Sequence, residues 1–263
     1  MSPEERASPA NAADFHAEVD DVFERIASRY DLLCDLFSFG IHRSWKRRVA
    51  ALIASEPWTD MHDAATGTGD VILRVARQGR LQAHQKIVAS DMSLKMLALA
   101  QKRVTSLGAP VEFKVLDAHA MPSVPAASVD LYSMSLGLKI CERQQVLREA
   151  YRVLRPGGRL ITLEASNISC RRLHHAYLRY MTFCMPFIGW VATRGDASAY
   201  RYLLKGIEDF PTAEGLAAEM AGAGFEQVRF ERLSLGIVAI HVARKPLGGS
   251  MPEPMNSSKT DCA

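Results

Sequence analysis

Apolar residues in this chain follow two alternating spacings, which predict strands and helices in turn. Short apolar runs typical of buried strands occupy residues 59–62, 86–91, 111–116, 129–135 and 159–164. Between most of them, apolar positions recur every three or four residues, as they do in amphipathic helices. Strands that alternate with helices in this way predict a parallel, doubly wound α/β sheet. Its right-handed crossovers place a ligand at the carboxyl ends of the strands.

Two helical additions flank this pattern. Residues 14–55 form an N-terminal helical cap before the first strand, with one helix predicted over 14–37 and a second over 43–55. Residues 169–209 are rich in aromatic, Met and Arg side chains, and predict two or three helices inserted after the fifth strand. We expect both additions to supply the wall of a substrate pocket. The predicted wall residues are Phe37, Phe39, Tyr177, Met181, Phe183, Met185, Trp190 and Tyr200.

The carboxyl-terminal part of the chain predicts an antiparallel edge to the sheet. Residues 225–233 and 236–243 have the pattern of two strands joined by a short link, which suits a hairpin. The sheet is therefore expected to have seven strands and to be mostly parallel. We predict a single domain over residues 14–245, with disordered tails at residues 1–13 and 246–263.

The stretch DAATGTGD, residues 63–70, joins the first strand to the first helix of the sheet. Gly67 and Gly69 suit a turn that needs positive φ and a close approach to a ligand. The backbone N–H groups and the dipole of the following helix favour a negative or polar ligand group. An ordinary loop would also tolerate two glycines. The G-x-G-x-x-G and G-K-[ST] patterns are absent, so neither a dinucleotide site nor a P-loop is predicted.

Asp91 ends the second predicted strand, 22 positions after Gly69. In this architecture an acid at that place holds a ribose diol, because one carboxylate accepts from both hydroxyls. The other interpretation is that Asp91 only caps the helix that begins with the sequence SLKMLALAQKR.

Composition sets limits on compartment and partners. The chain of 263 residues is 48% hydrophobic with a net charge of +3, which allows a sizeable core and excludes global disorder. No Lys/Arg run exceeds three residues, so no nucleic-acid partner is predicted. The five cysteines lack a metal-ligand spacing, and the amino terminus lacks an apolar signal segment. We therefore expect no metal, free thiols and a cytoplasmic protein.

Several of these residues together resemble the class I S-adenosylmethionine-dependent methyltransferases. The resemblance rests on the loop DAATGTGD, Asp91, the pair Asp117-Ala118 and the segment LRPGGRL. Two further segments, VFERIASRYDLLCDLFSFGIHRSWKR and GDASAYRYLLKGIEDFP, are similar to signatures of the ubiquinone/menaquinone biosynthesis C-methyltransferase family. This likeness runs from about residue 19 to residue 244. It implies a Rossmann-like fold and S-adenosylmethionine as cofactor.

The resemblance also implies a role for individual residues. The glycine loop would hold the amino-acid end of the cofactor, with Thr68 contributing its side chain. Asp91 would hold the ribose, Met92 would pack on the adenine, and Ser135 would lie beside the sulfonium. Tyr30 would close over the cofactor from the N-terminal helix. The full implied set of cofactor-binding residues is Tyr30, Asp63, Gly67, Thr68, Gly69, Asp91, Met92, Asp117, Ala118 and Ser135.

Three places depart from the family pattern. Thr66 replaces a glycine of the loop, and Cys34 replaces an asparagine. Lys139-Ile140 replaces an Arg-Asn pair that is expected to contact the quinone head group or an activating water. Lysine lacks the planar fork of arginine, and isoleucine has no hydrogen-bonding group. This change concerns the choice of acceptor, not the methyl transfer.

The candidate catalytic residues are Tyr30, Lys139 and Tyr200. Methyl transfer to a phenol or quinol carbon is helped by a cation near the ring oxygen, and Lys139 is the candidate for that charge. A solvated loop lysine is the competing interpretation. Tyr30 and Tyr200 are candidate pocket hydroxyls, although packing alone would also account for them.

Three functions stay open from the sequence. The first is a C-methyltransferase acting on a lipophilic quinol. The second is a specialised-metabolite C-, O- or N-methyltransferase with a non-quinone aromatic acceptor, and the third is a non-enzymatic cofactor-binding module. The basic, aromatic segment 171–190 together with HRSWKRR (residues 42–48) suggests peripheral contact with a membrane. A homodimer is also left open.

Overall fold

The computed structural model describes residues 30–77, 81–82, 84–105, 110–168, 170–193, 206–207 and 209–248. The two predicted tails lie outside the described residues, except for the first positions of the second one. The predicted helix before residue 30 and the candidate Tyr200 also lie outside them. Tyr30 is described only as the first residue of a helix, without its side chain.

One sheet organises the fold. Its strands are β1 (Asp60–Ala64), β2 (Lys86–Asp91), β3 (Val111–Val115), β4 (Val129–Ser135), β5 (Leu154–Ala165), β6 (Glu226–Leu233) and β7 (Val238–Arg244). The strand order is β3-β2-β1-β4-β5-β7-β6. Strands β1 to β5 pair in parallel, whereas β7 is antiparallel to both β5 and β6. The predicted doubly wound, mostly parallel sheet of seven strands is confirmed.

Helices cover both faces of the sheet. They are α1 (Tyr30–Ser38), α2 (His42–Ile53), α3 (Asp70–Arg77), α4 (Leu94–Thr105), α5 (Arg143–Val153), α6 (Arg171–Thr193) and α7 (Ala213–Gly222). Successive residues of a strand face opposite ways, so each face has its own apolar core. In β4, Leu131 packs among residues of α2 and α3, and Tyr132 packs among residues of α5 and α7. Both side chains are fully buried.

The segment after α5 differs from its prediction. The fifth strand was predicted over residues 159–164, but the preceding helix ends at Val153 and β5 already begins at Leu154. Gly157 takes a left-handed φ of 79°. Its N–H donates to the carbonyl of Lys245 at 2.8 Å, and the Lys245 N–H donates to the carbonyl of Gly158 at 2.9 Å. This pairing with the chain just after β7 lets the glycines extend the strand.

The insertion after β5 is described in part. Its helix α6 has 23 residues and continues across Pro186. No helix among the described residues is long and apolar enough to cross a membrane. The predicted hairpin of β6 and β7 is confirmed, and its link is a short turn over Ser234–Gly236. The second strand of the hairpin, β7, is the one that joins the sheet, beside β5.

Candidate active site

The glycine loop after β1 depends on three left-handed residues. Ala65, Gly67 and Gly69 have φ values of 48°, 56° and 74°. A Cβ on Gly69 would lie 3.0 Å from the Cβ of Ala100 in α4, so the loop packs directly on that helix. A Cβ on Gly67 would have no neighbour within 4 Å. The positive φ expected for both glycines is confirmed, and Gly67 leaves its side of the loop open.

The buried side chain of Asp63 fixes this loop from the protein interior. Its carboxylate is 2% exposed and accepts hydrogen bonds from the Thr66 hydroxyl at 2.7 Å and from the Ser133 hydroxyl of β4. Burial raises the pKa of Asp63 to about 6, although both hydroxyls and Lys46 oppose the shift. Asp63 is therefore placed to shape the loop, and its predicted direct contact with the cofactor stays a prediction. Thr66, where the family has glycine, contributes a bond that glycine could not make.

Asp91 lies between the loop and the start of α4. Its Oδ2 accepts from the Gly67 N–H at 2.8 Å, and its Oδ1 accepts from the Ser93 N–H at 3.0 Å. The hydroxyl of Ser93 accepts from the Met96 N–H at 3.3 Å, so Ser93 is the residue that caps α4. Asp91 is half-buried at the edge of a cleft. This geometry favours the ribose interpretation of Asp91 over the simple cap.

Asp117 is held by its neighbour His119. The Glu142 N–H donates to His119 Nε2 at 3.0 Å, so this nitrogen carries no proton. The proton of a neutral imidazole is then on Nδ1, which lies 2.6 Å from Asp117 Oδ1 and donates to it. The His119 N–H donates to the same oxygen at 2.9 Å. The sequence interpretation missed this positioning role, although the adjacency of the two residues was a possible signal.

Gly67, Asp91 and Asp117 all line one cleft at the carboxyl ends of β1, β2 and β4. It is lined by Ala65, Gly67, Asp91, Met92, Ser93, Met96, Leu116, Asp117, Ala118, His119, Met134, Ser135, Leu136, Gly137, Ile140 and Cys141. The predicted cofactor residues among them are Gly67, Asp91, Met92, Asp117, Ala118 and Ser135. Thr68 and Gly69 do not line the cleft; Thr68 is buried, and its carbonyl accepts from Arg103.

The chemistry of the cleft suits an adenosyl cofactor. The Asp91 carboxylate can accept from the hydroxyls of a ribose, and Met92, Met96 and Leu116 offer apolar surface to a flat base. The hydroxyl oxygen of Ser135 is buried and has no hydrogen-bond partner among the described residues. A buried polar atom of this kind is expected to find a partner in a ligand or water. The residues present therefore fit S-adenosylmethionine.

The strand order and this cleft define a class I S-adenosylmethionine-dependent methyltransferase. The sequence model of the ubiE/COQ5 methyltransferase family matches residues 11–245, and the chain belongs to this family. The ubiquinone/menaquinone biosynthesis C-methyltransferase UbiE of Brucella anthropi is 38% identical over 229 residues, which are 85% of each chain. The demethylmenaquinone methyltransferase of Thermus thermophilus is 38% identical over 226 residues, which are 86% of this chain and all (100%) of the relative.

Solved structures support the fold. A methyltransferase from Thermotoga maritima aligns over 86% of this chain and 99% of its own, with a TM-score of 0.61 and 18% sequence identity. At this identity the likeness concerns the fold alone.

The turn after β4 separates the two halves of the Lys139-Ile140 pair. Ile140 lines the cleft, whereas the Lys139 ammonium donates to the carbonyl of Leu136. Burial lowers the pKa of Lys139, and the Glu164 carboxylate opposes this shift. Only Ile140 of the pair lines the cleft, and the expected contact of the pair with the acceptor stays a prediction.

Glu164 supports this turn and was missed by the sequence analysis. It is fully buried near the end of β5, where its Oε1 accepts from the N–H groups of Gly137 and Leu138, both at 2.8 Å. Its Oε2 has no hydrogen-bond partner among the described residues. Burial raises the pKa of Glu164 to about 7, and the nearby Lys139 opposes the shift.

We expect Asp91→Ala to weaken the binding of S-adenosylhomocysteine by roughly 1.5–3 kcal/mol, because hydrogen bonds to a charged group are lost. Isothermal titration measures this. The control is Thr212→Ala, which removes the side-chain cap of α7 away from the cleft and should lower stability by about 1 kcal/mol without changing affinity. A folded Asp91→Ala variant with unchanged affinity would show that Asp91 serves only its local turn.

Glu164 should make stability depend on pH. Because the pKa of Glu164 is raised from 4.5 to about 7 in the folded state, its stabilising effect is complete below about pH 4.5 and is lost as pH rises through 7. Glu164→Gln keeps the shape and an acceptor oxygen but does not titrate. Between pH 4.5 and 8, the unfolding free energy of the wild type should fall relative to the variant by on the order of 1–3 kcal/mol.

Chemical denaturation of both proteins at these pH values tests the effect. Unfolding free energies that change by the same amount in both proteins between pH 4.5 and 8 would contradict it.

Proposed function

We propose that the protein transfers the methyl group of S-adenosylmethionine to a ring carbon of a quinol. The family supports methyl transfer, and the names of the two relatives support a quinone-type acceptor. The structural observation that carries the proposal is an apolar cluster beside the turn after β4. Met181 of α6 is 5% exposed and packs with Phe37 of α1, Tyr177 and Ile207.

This cluster is close to the methyl donor site. A Cβ on Gly206, the neighbour of Ile207, would lie 2.9 Å from the carbonyl oxygen of Lys139. The two helical additions therefore meet at the turn whose other side lines the cleft. An apolar wall at this place suits a lipophilic ring and excludes water from the reaction. Phe39 and Phe183 are 76% and 73% exposed and lie outside this cluster, so their place in the pocket wall stays a prediction.

The reaction requires the ring carbon to attack the methyl group in line with the bond that breaks. The bound cofactor supplies a methyl group activated by its sulfonium. Gly67, Asp91 and Asp117 orient the donor, and the apolar wall orients the ring against it; such positioning accounts for much of the acceleration in two-substrate reactions. Lys139 is the candidate for the cation that stabilises the ring oxygen as its proton leaves. Tyr30 and Tyr200 stay candidate pocket hydroxyls.

A second function is favoured by one observation. Ile140 takes the place of a family asparagine and lines the cleft with an apolar side chain. A relative that methylates another aromatic acceptor at carbon, oxygen or nitrogen would tolerate this loss of a polar group. Because the chain belongs to a methyltransferase family, a non-enzymatic binding module is not favoured.

Mass spectrometry of products tests the acceptor. We incubate the protein with labelled S-adenosylmethionine and a panel of short-chain demethylquinols and other aromatics. The expected product is a quinol with the label on a ring carbon. Product from a non-quinone aromatic alone would favour the second function.

The same assay tests Lys139. We expect Lys139→Met to lower kcat by about tenfold or more, because the charge near the ring oxygen is lost. Lys139→Arg restores the family residue and is the matched control, so it should keep or raise the turnover of quinols. Unchanged kcat in Lys139→Met would remove Lys139 from the reaction.

We also propose that α6 contacts anionic lipid at the membrane surface, as a lipophilic acceptor would require. One surface of this helix combines basic and aromatic side chains, namely Arg172, His175, Arg179, Tyr180 and Phe183. Tyr180 and Phe183 are exposed, and basic neighbours would attract anionic headgroups. A cytoplasmic location and a homodimer stay predictions.

Flotation with anionic vesicles at low salt tests the lipid contact. Reversing Arg172 and Arg179 to Glu should lower the bound fraction about tenfold or more, since each basic residue near the surface contributes about 1 kcal/mol. The matched control reverses two exposed residues outside this surface, Arg148 and Lys102. No co-migration of the wild type would remove the proposal.

A further inference from the structure

The strand β3 forms one edge of the sheet. In the part of the chain that the structure describes, β3 pairs with β2 alone. At the opposite edge, the pairing of β6 has a register shift between Glu226 and Arg229, and Gln227 takes a left-handed φ of 51°. Such irregularities keep a sheet edge from pairing with another chain. The five residues of β3 pair without a register shift, so this edge keeps a regular backbone that a further strand can bind.

The backbone groups on the outer side of β3 belong to alternate residues. Pro110 and Leu116, just before and just after the strand, both hydrogen-bond to β2 through the backbone at 3.4 Å. In a parallel ladder every second residue directs its N–H and C=O to the same neighbouring strand. The even-numbered residues from 110 to 116 therefore face β2. The other residues of the strand direct their N–H and C=O groups away from the sheet, namely Val111, Phe113 and Val115.

The sequence of β3, VEFKV, is complementary to itself in the antiparallel direction. When two copies of β3 meet about a two-fold axis at Phe113, each Val111 faces Val115 of the other copy as a hydrogen-bonded pair. Each Glu112 then faces Lys114 of the other copy, and opposite charges across two strands attract. The Glu112 and Lys114 side chains are 61% and 35% exposed and already form an ion pair at 3.1 Å within one chain. Their charges are thus available to a second copy on the same face of the strand.

Charge selects this register among the alternatives that the backbone allows. Because outward-facing residues must pair with one another, the axis can also pass through residue 112 or residue 114. An axis at Glu112 places two carboxylates directly opposite each other, and an axis at Lys114 does the same for two ammonium groups. Like charges in these positions destabilise a strand pair. The axis at Phe113 avoids both contacts and pairs all three outward-facing residues.

Apolar side chains of β3 add to the pairing. Val111 and Phe113 pack against the core cluster that includes Val104 of α4, and Val115, on the same face of the strand, is 53% exposed. Across the two-fold axis this apolar face continues from one copy into the other, with α4 of each copy on that side. Burial of Val115 against the partner strand contributes apolar area beyond the backbone hydrogen bonds.

We propose that two copies of this chain form a homodimer through antiparallel pairing of their β3 strands. The pairing joins the two seven-stranded sheets into one continuous sheet. Because both copies use the same strand, the contact closes on itself and leaves no β3 edge for a third copy. This inference concerns the edge of the sheet and does not depend on which acceptor is methylated.

Sedimentation velocity of the full chain over a range of protein concentrations tests the dimer. Lys114→Glu should raise the dissociation constant of the dimer about tenfold or more, because both attractive charge pairs across the axis become repulsive. Glu112→Lys combined with Lys114→Glu exchanges the two charges, restores their complementarity and should restore the dimer. The matched control is Glu226→Lys, which reverses an exposed acid at the opposite edge of the sheet and should leave the dissociation constant unchanged.

Hydrogen exchange of the same proteins locates the interface. Residues 111–115 should exchange more slowly in the wild-type dimer than in the diluted protein, because the outward-facing N–H groups are bonded only in the dimer.

Two results would overturn the proposal. A wild type that stays monomeric up to its highest soluble concentration would mean that the β3 edge does not pair. A dimer whose dissociation constant is the same in Lys114→Glu would mean that another surface joins the copies. If Lys114→Glu lowers the Tm, Glu112→Lys is compared with the charge-exchanged variant instead, and equal dissociation constants in these two proteins would also contradict the pairing.

Discussion

The methyl donor site depends on a turn that few sequences can form. Three consecutive odd positions, Ala65, Gly67 and Gly69, take left-handed φ values, and Gly69 has no room for a side chain against α4. Such a turn is costly for the chain and persists only where other contacts fix it. Asp63 fixes it from the interior through Thr66, and Asp91 fixes it from the next strand through Gly67.

The rest of the site follows from that turn. Once the loop is fixed, the ends of β2 and β4 lie along one cleft, which holds the donor at the edge of the sheet. We propose that the acceptor side is built from chain segments outside the sheet, because the donor occupies the sheet edge. Glu164 holds the turn after β4, one side of which lines the cleft while the other lies against Gly206 of the helical insertion.

The sequence predicted those features that depend on residues close together in the chain. Apolar spacing predicted the strands, the glycines predicted the left-handed turn, and the acid after β2 predicted a ribose site. The contacts that were missed join residues far apart in the chain. Ser133 to Asp63, Gly137 to Glu164 and Lys46 to Asp70 depend on which strands and helices become neighbours, and no local pattern encodes that.

The exposure of single side chains has the same origin. Aromatic content suggested Phe39 and Phe183 for a pocket wall, but how far each is buried depends on the packing of the segments around it. The number and bounds of the helices in the insertion were left open, and α6 is one continuous helix that includes Pro186. Lys139 and Ile140 were treated as one unit, although a short turn sends adjacent side chains in different directions.

The central claim is that the cleft beside the glycine turn is the site of the methyl donor. A crystal structure of the protein with S-adenosylhomocysteine tests it most directly. The account predicts the ribose hydroxyls on the Asp91 carboxylate and the adenine beside Asp117 and Ala118. A ligand bound elsewhere, or bound in this cleft with its ribose away from Asp91, would contradict the account.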